Sequence, residues 1–167
     1  KLCSEFAYYL MEKSKLPLRI GVGAIVINKE NKIFVGKRKD QPNNDKWQMP
    51  QGGVNDGEDF LNAMKRELEE ETSIKSIKIL KEIDEWTEYE LPNYLLGKIW
   101  KGRYRGQKQK WFILKFTGID NEINLKTNNP EFIEWKWVDP EKLPKIIVEF
   151  KRKLYENLLI KIKPFIN

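Results

Sequence analysis

Histidine is absent from all 167 residues, and cysteine occurs once, at Cys3. The two counts remove disulfides, Cys/His zinc sites, Ser-His triads and Cys-His nucleophiles from the available chemistry. If the chain uses a metal, carboxylate and carbonyl oxygens must hold it, which selects a hard cation such as Mg²⁺, with Mn²⁺ able to substitute. No apolar run approaches the ~18 residues of a membrane span, and the first residues lack the basic-then-apolar layout of a signal peptide. A cytoplasmic protein with no membrane partner is therefore expected. Internal repeats, linkers and low-complexity segments are also lacking. The chain does not begin with Met; Met11 is a candidate natural start, and residues 1–17 read as an N-terminal extension whose first ten residues are candidates for non-native sequence.

What is present suffices for one domain over 18–167. A 40% hydrophobic content with six Trp and eight Phe supplies a core, and a chain of this length buries roughly 68–70% of the surface its unfolded form exposes. The formal net charge is +6 and the pI about 9.2, compatible with a polyanionic partner and equally with a merely lysine-rich composition. That charge is unevenly placed. Glu58 to Glu71 holds six acids against Lys65 and Arg66, a local −4 that leaves +10 on the rest of the chain.

Patterning predicts a short helix around Glu5 to Lys13, then a hairpin from "IGVGAIVI" and "KIFVGKR" across the polar turn Asn28 to Asn31. "KWQMP" reads as a short strand ended by Pro50. Leu61, Met64 and Leu68 recur at helical spacing and predict a helix over about Glu58 to Thr72. "IKSIKILKEI" reads as a strand and residues 86–106 as a loop-rich insertion carrying aromatics. "QKQKWFILKF" is a strong strand with Phe112, Leu114 and Phe116 on one face and Trp111 and Ile113 on the other. "EFIEWKWV" follows as a strand, and Asp139-Pro140 opens the helical C-terminal part. Strands interspersed with two or three helices define an α/β or α+β sandwich.

On the central helix Glu67, Glu70 and Glu71 stand at i, i+3 and i+4, so they share a face beside or opposite the apolar stripe. Each like-charge pair costs about 0.2–0.5 kcal/mol in an isolated helix, and acids in a last turn also oppose the helix dipole. A shared divalent cation reverses both penalties; a solvated acidic face is the plain alternative. Glu58 and Arg66, eight apart, pair only if the helix start folds back.

The complete spacing is more specific. Gly52, five residues, Glu58, seven residues, then Arg66-Glu67-Leu68-x-Glu70-Glu71-x-Ser73-Ile74 resembles the Nudix hydrolase signature, G-x5-E-x7-R-E-U-x-E-E-x-G-U with U aliphatic. The one departure is Ser73 at a glycine position suited to a left-handed helix end, which costs on the order of 1 kcal/mol. The resemblance implies an α/β fold, the Nudix α/β/α sandwich with a mixed β-sheet, and Mg²⁺-assisted attack of water on phosphorus in an X-linked diphosphate. It implies Glu67, Glu70 and Glu71 as metal ligands, one of them a candidate base. The backbone carbonyl at the Gln51-Gly52 turn is a further candidate ligand, and Glu58 and Arg66 brace the loop. Metal ions that neutralise phosphate oxygens and acidify bound water make histidine unnecessary.

Outside the signature, "RIGVGAIV", "WQMPQGGV", "WTEYELP", "RGQKQKWFILKF", "NPEFIEWKWV" and "FKRKLY" resemble the bacterial RNA pyrophosphohydrolase and dinucleoside-polyphosphate hydrolase branch, from about Leu18 to Tyr155. By that resemblance Glu131 completes the metal site or acts as base. Arg19, Arg38 and Lys151 match basic positions that meet phosphates or leading nucleotides, and Phe150 a residue near the base. Tyr89, Lys108 and Lys110 are weaker substrate-binding candidates; Trp86, Trp111, Trp135 and Trp137 are assigned to the scaffold. The implied activity is conversion of a 5′-tri- or diphosphorylated RNA end to a monophosphate, promoting mRNA decay, by an expected monomer. The alternatives are a diadenosine tetraphosphate hydrolase, a nucleotide-pool cleansing enzyme and a noncatalytic nucleotide-binding module.

Overall fold

Seven strands form one mixed sheet, covered on each face by a separate hydrophobic cluster. The computed structural model of the chain describes residues 1–41 and 43–166. In chain order the elements are α1 (Leu2–Ser14), β1 (Leu18–Ile27), β2 (Ile33–Arg38), β3 (Gln51–Gly53), α2 (Phe60–Thr72), β4 (Ile77–Glu82), β5 (Thr87–Glu90), β6 (Gly106–Phe116), β7 (Phe132–Val138), α3 (Leu143–Ile146) and α4 (Arg152–Ile162). The sheet order is β4-β6-β1-β2-β7, with β3 paired to β1 and β5 to β6. β1 and β6 pair in parallel, from Leu18 opposite Gly106 to Ile27 opposite Lys115.

Alternation along the central strands decides which residue faces which helix layer. Val22, Ala24, Val26, Phe112 and Leu114 pack on Ala63, Met64 and Leu68 of α2. Ile25, Ile27, Trp111 and Ile113 pack on Leu143, Ile147, Leu154, Tyr155 and Leu158 of the C-terminal segment. The buried Tyr155 hydroxyl accepts the Met49 backbone N–H at 2.8 Å, tying α4 to the segment that enters β3. By contrast α1 buries none of its residues.

Four boundaries differ from the sequence reading. α1 is longer than expected at both ends. The strand expected to end at Pro50 instead begins after it: Gln48 makes only an isolated bridge to Gly36, and β3 starts at Gln51. α2 begins at Phe60 because the Asp59 carboxylate caps it by accepting the Asn62 N–H at 2.7 Å. Within the expected loop, Thr87–Glu90 forms β5, antiparallel to Gly106–Gln109.

Candidate active site

Arg66 is the hub of the signature segment. Its guanidinium donates to both Glu58 oxygens at 2.9 and 3.0 Å, to the Gly53 carbonyl at 2.8 Å, and to Glu67 and Glu70 at 2.9 and 3.2 Å. Five contacts from one planar fork lock the loop before α2 onto β3 and keep two acids beside it. The Arg66 side chain holds the Glu58 carboxyl below the usual carboxylate range.

The three helix glutamates do not share one environment. Glu70 is exposed, Glu67 is half-buried and Glu71 is buried with Met64, Leu68 and Thr72 on the apolar side of α2. Burial raises the Glu67 carboxyl despite the Arg66 contact. It raises the Glu71 carboxyl well above its ordinary value, with the charges of Glu67 and Glu131 adding to the effect and a backbone hydrogen bond from Gln51 opposing it. The Glu71 Oε2 atom has no hydrogen-bond partner in its buried position. A buried carboxylate oxygen without a donor is costly unless a cation or proton meets it. Glu131 is exposed, just ahead of β7, and near enough to act electrostatically on both Glu71 and Arg38.

Gly52 is the second fitted feature. A Cβ at this residue would overlap the Glu67 carboxylate, so glycine lets the acid lie directly on the β3 backbone. Among the described residues no three acids are already gathered at metal-binding spacing; Glu67 and Glu70 are held by Arg66. An all-oxygen donor set with an orphaned buried oxygen fits a hard divalent cation.

At the C-terminus of α2, Ser73 adopts the left-handed conformation that the glycine of the signature suits, with φ 67°. Its N–H donates to the Glu69 carbonyl at 2.8 Å and its hydroxyl to the Asn124 carbonyl at 2.7 Å. The second bond offsets part of the conformational cost and explains how serine is tolerated.

Beside the acids lies a cavity of about 340 Å³. Trp47, Leu91, Leu95, Ile99, Trp100, Ile147, Val148 and Phe150 give it apolar walls, and Arg38, Lys46, Gln48, Gln51, Tyr89 and Lys151 add polar groups. Arg38 is held by a two-point contact with Asp40 at 2.8 and 2.6 Å, which lowers the Asp40 carboxyl. Lys151 is buried, 4.9 Å from the Tyr89 ring centre, and burial lowers its ammonium to about 8. Tyr89 and Phe150 face each other at 5.9 Å. Arg19 stands at the cavity margin, over the Trp100 ring and against Gly53, and its charge reaches Glu67.

Thus the fold brings Arg19, Arg38, Tyr89, Phe150 and Lys151 together next to Gln51, Gly52 and the acids. Lys108 and Lys110 do not join them. Both stand over Trp86, at 4.9 and 5.1 Å, and Lys110 donates to the Asp84 carbonyl. Sequence reasoning missed the buried amides between them: Gln109 donates to Gln51 and Gln107 and accepts from the Trp111 indole. Two glutamines alternating into an apolar strand face are the signal that marks them.

Comparison with known proteins agrees with this geometry. The NUDIX domain family matches residues 17–158. A curated RNA pyrophosphohydrolase of Pelagibacter ubique (strain HTCC1062) is 57% identical over 155 residues, covering 93% of this chain and 98% of its own. Another from Bradyrhizobium sp. (strain ORS 278) is 48% identical, covering 86% and 90%. Among solved structures, a C. elegans Ap4A hydrolase binary complex aligns with a TM-score of 0.63 at 21% identity over 87% of this chain and 96% of that one. The E. coli dihydroneopterin triphosphate pyrophosphohydrolase gives 0.64, also at 21%, over 88% and 99%; likeness at that identity shows the fold. The chain belongs to the NUDIX domain family.

Proposed function

We propose that this protein is a Mg²⁺-dependent RNA 5′-pyrophosphohydrolase that converts a 5′-tri- or diphosphorylated end to a 5′-monophosphate, and so promotes mRNA decay, acting as a cytoplasmic monomer. The relatives bearing that name cover nearly the whole chain. The observation that carries the reading is the junction at Gln51. There an acidic set with one unpartnered buried oxygen adjoins a cavity of aromatic walls and cations. Such a junction suits a polyphosphate attached to a base.

Glu67, Glu70, Glu71 and Glu131, with the carbonyl at Gln51-Gly52, would hold Mg²⁺ or, as a substitute, Mn²⁺. The cation, when bound, neutralises phosphate oxygens and acidifies water. Arg66 and Glu58 keep the loop in place. Arg19, Arg38 and Lys151 compensate the phosphate charge, while Phe150 and Tyr89 offer ring faces to a base. One carboxylate of the set takes a proton from the attacking water; the new P–O bond forms as the anhydride P–O bond breaks, and pyrophosphate leaves from a triphosphorylated end or phosphate from a diphosphorylated one. Lys108 and Lys110 have no part in this arrangement.

The test is product analysis on RNA labelled in its 5′-terminal phosphates. With Mg²⁺ the expected products are monophosphorylated RNA and free pyrophosphate or phosphate. Tight binding of the same RNA without turnover would replace this reading with that of a noncatalytic module.

A further inference from the structure

Trp100 has no place in the family signature, yet the backbone is strained to present it. Trp100 and Lys101 have φ of 50° and 56°, and Gly102 follows at 70°, three consecutive residues in the left-handed region. Non-glycine residues rarely adopt it, and such strain persists where the surrounding structure over-determines it. Here the turn is closed by the Gly102 N–H on the Ile99 carbonyl at 3.0 Å and by the Arg103 N–H on the Trp100 carbonyl at 3.2 Å. The edge of the Trp100 ring meets Tyr104, with centroids 6.2 Å apart and planes at 78°. Its face meets Arg19, whose guanidinium carbon lies 5.5 Å from the ring centre.

Arg19 is held beside the acids without a carboxylate partner. Like Arg103, and unlike Arg38, Arg66, Arg105 and Arg152, it makes no ion pair among the described residues. Two neutral surfaces confine it instead: the Trp100 ring, and the Gly53 backbone, where a Cβ would overlap the guanidinium. A guanidinium placed over an aromatic ring keeps its N–H donors in its own plane and open to phosphate oxygens. Gly53 is also the residue whose carbonyl Arg66 grips. The cavity wall, the free cation and the loop carrying the acids are therefore in mechanical contact through Trp100, Arg19 and Gly53.

We infer that Trp100 is a positioning residue for Arg19, fixing this cation to receive the terminal phosphates of the substrate while its own side chain walls the cavity. The inference rests on the polyphosphate-hydrolase reading. It predicts an effect on binding of the phosphates and little on the chemical step, since the side-chain partners of Trp100 are Arg19, Tyr104 and the cavity wall. A ring serving only as wall would instead leave Arg19 independent of it.

The experiment is a double-mutant cycle in the full-length protein with 5′-triphosphorylated RNA. Trp100→Leu keeps apolar bulk without a ring face, and is expected to raise KM about tenfold while changing kcat less than about twofold. Trp100→Phe restores a ring face and is expected to return KM to within about threefold of the unsubstituted protein. Arg19→Ala weakens binding more than Trp100→Leu, and the double variant is expected to be no worse than Arg19→Ala within about twofold, the mark of a residue acting through another. Thermal unfolding of each variant checks that the fold is kept. Multiplicative effects in the double variant, or Trp100→Phe as impaired as Trp100→Leu, overturn the inference. Turnover by the unsubstituted protein tests the functional reading separately. If a dinucleoside tetraphosphate proves the better substrate, the same cycle on it still judges Trp100. Calorimetric titration with inorganic tripolyphosphate in Mg²⁺-free buffer reads the cycle without relying on turnover, and additive losses there overturn the inference equally.

Discussion

The segment from Gln51 to Ile74 and the cavity beside it meet at one residue, Gln51, but are assembled in opposite ways. In the first, a strand, a loop and a helix within twenty-four consecutive residues carry most of the acids, and one arginine, Arg66, ties Gly53, Glu58, Glu67 and Glu70 together. In the second, the walls come from β2, the segment before β3, β5, the 91–105 loop and the turn before α4. On the proposed function, local spacing supplies the reaction chemistry and tertiary packing the recognition. Substitutions in the two regions should therefore separate kcat from KM.

The largest separation is expected at Glu71. Glu71→Gln keeps the shape of a buried side chain but removes its negative charge, and kcat on triphosphorylated RNA should fall about 10²–10³-fold or more. Steady-state kinetics with circular dichroism as a fold check would measure this; near-full activity would remove Glu71 from the metal-binding set. On the recognition side, Phe150→Ala removes a ring that faces Tyr89 across 5.9 Å. A stacked base is worth about 1–3 kcal/mol, so KM should rise roughly 5- to 150-fold with kcat nearly unchanged. A loss confined to kcat would break the division between the two regions.

The buried Glu71 also makes stability depend on pH in a defined direction. Because burial raises its carboxyl above the ordinary 4.5, the folded protein holds this proton where the unfolded chain has released it. Between those two values the folded state binds more protons, so the Glu71 contribution to stability falls as pH rises. In metal-free protein, urea unfolding followed as the pH is raised above the ordinary carboxylate range should show a decline of up to about 1.4 kcal/mol per pH unit from this group. Glu71→Gln should lack that component. A component rising with pH would contradict the burial that causes it.

The smallest effect concerns Ser73. Ser73→Ala keeps the left-handed strain and loses the bond to Asn124, costing about 1 kcal/mol, whereas Ser73→Gly relieves strain as it loses the bond and should be close to neutral. Chemical denaturation distinguishes the two, and kcat should be unchanged in both.

The same contrast governs how much was legible in the sequence. The signature positions, the Phe112/Trp111 alternation and the two apolar helices are written at short range, and the structure reproduces them with shifted ends. Glu71 was readable as an acid on a ligand face, but not as a buried one, because burial depends on how α2 rolls against β1. β5 escaped notice since four residues, Thr87–Glu90, gain their strand character only from pairing with β6. Lys108 and Lys110 are only weaker substrate-binding candidates in the sequence, because alternation puts them on one strand face without saying what that face meets; in the structure it meets Trp86. Trp100 and the Gln107–Gln109–Gln51 amides gain meaning only from neighbours distant in the chain.

One measurement addresses both regions together, the ratio of kcat/KM for 5′-triphosphorylated RNA to that for diadenosine tetraphosphate, with Mg²⁺ present. If the acids supply the chemistry and the cavity selects an RNA end, the ratio should exceed about tenfold in favour of RNA, a difference of about 1.4 kcal/mol between the two transition states. A comparable preference for the dinucleotide would leave the hydrolytic site in place and contradict the assignment of the cavity to RNA.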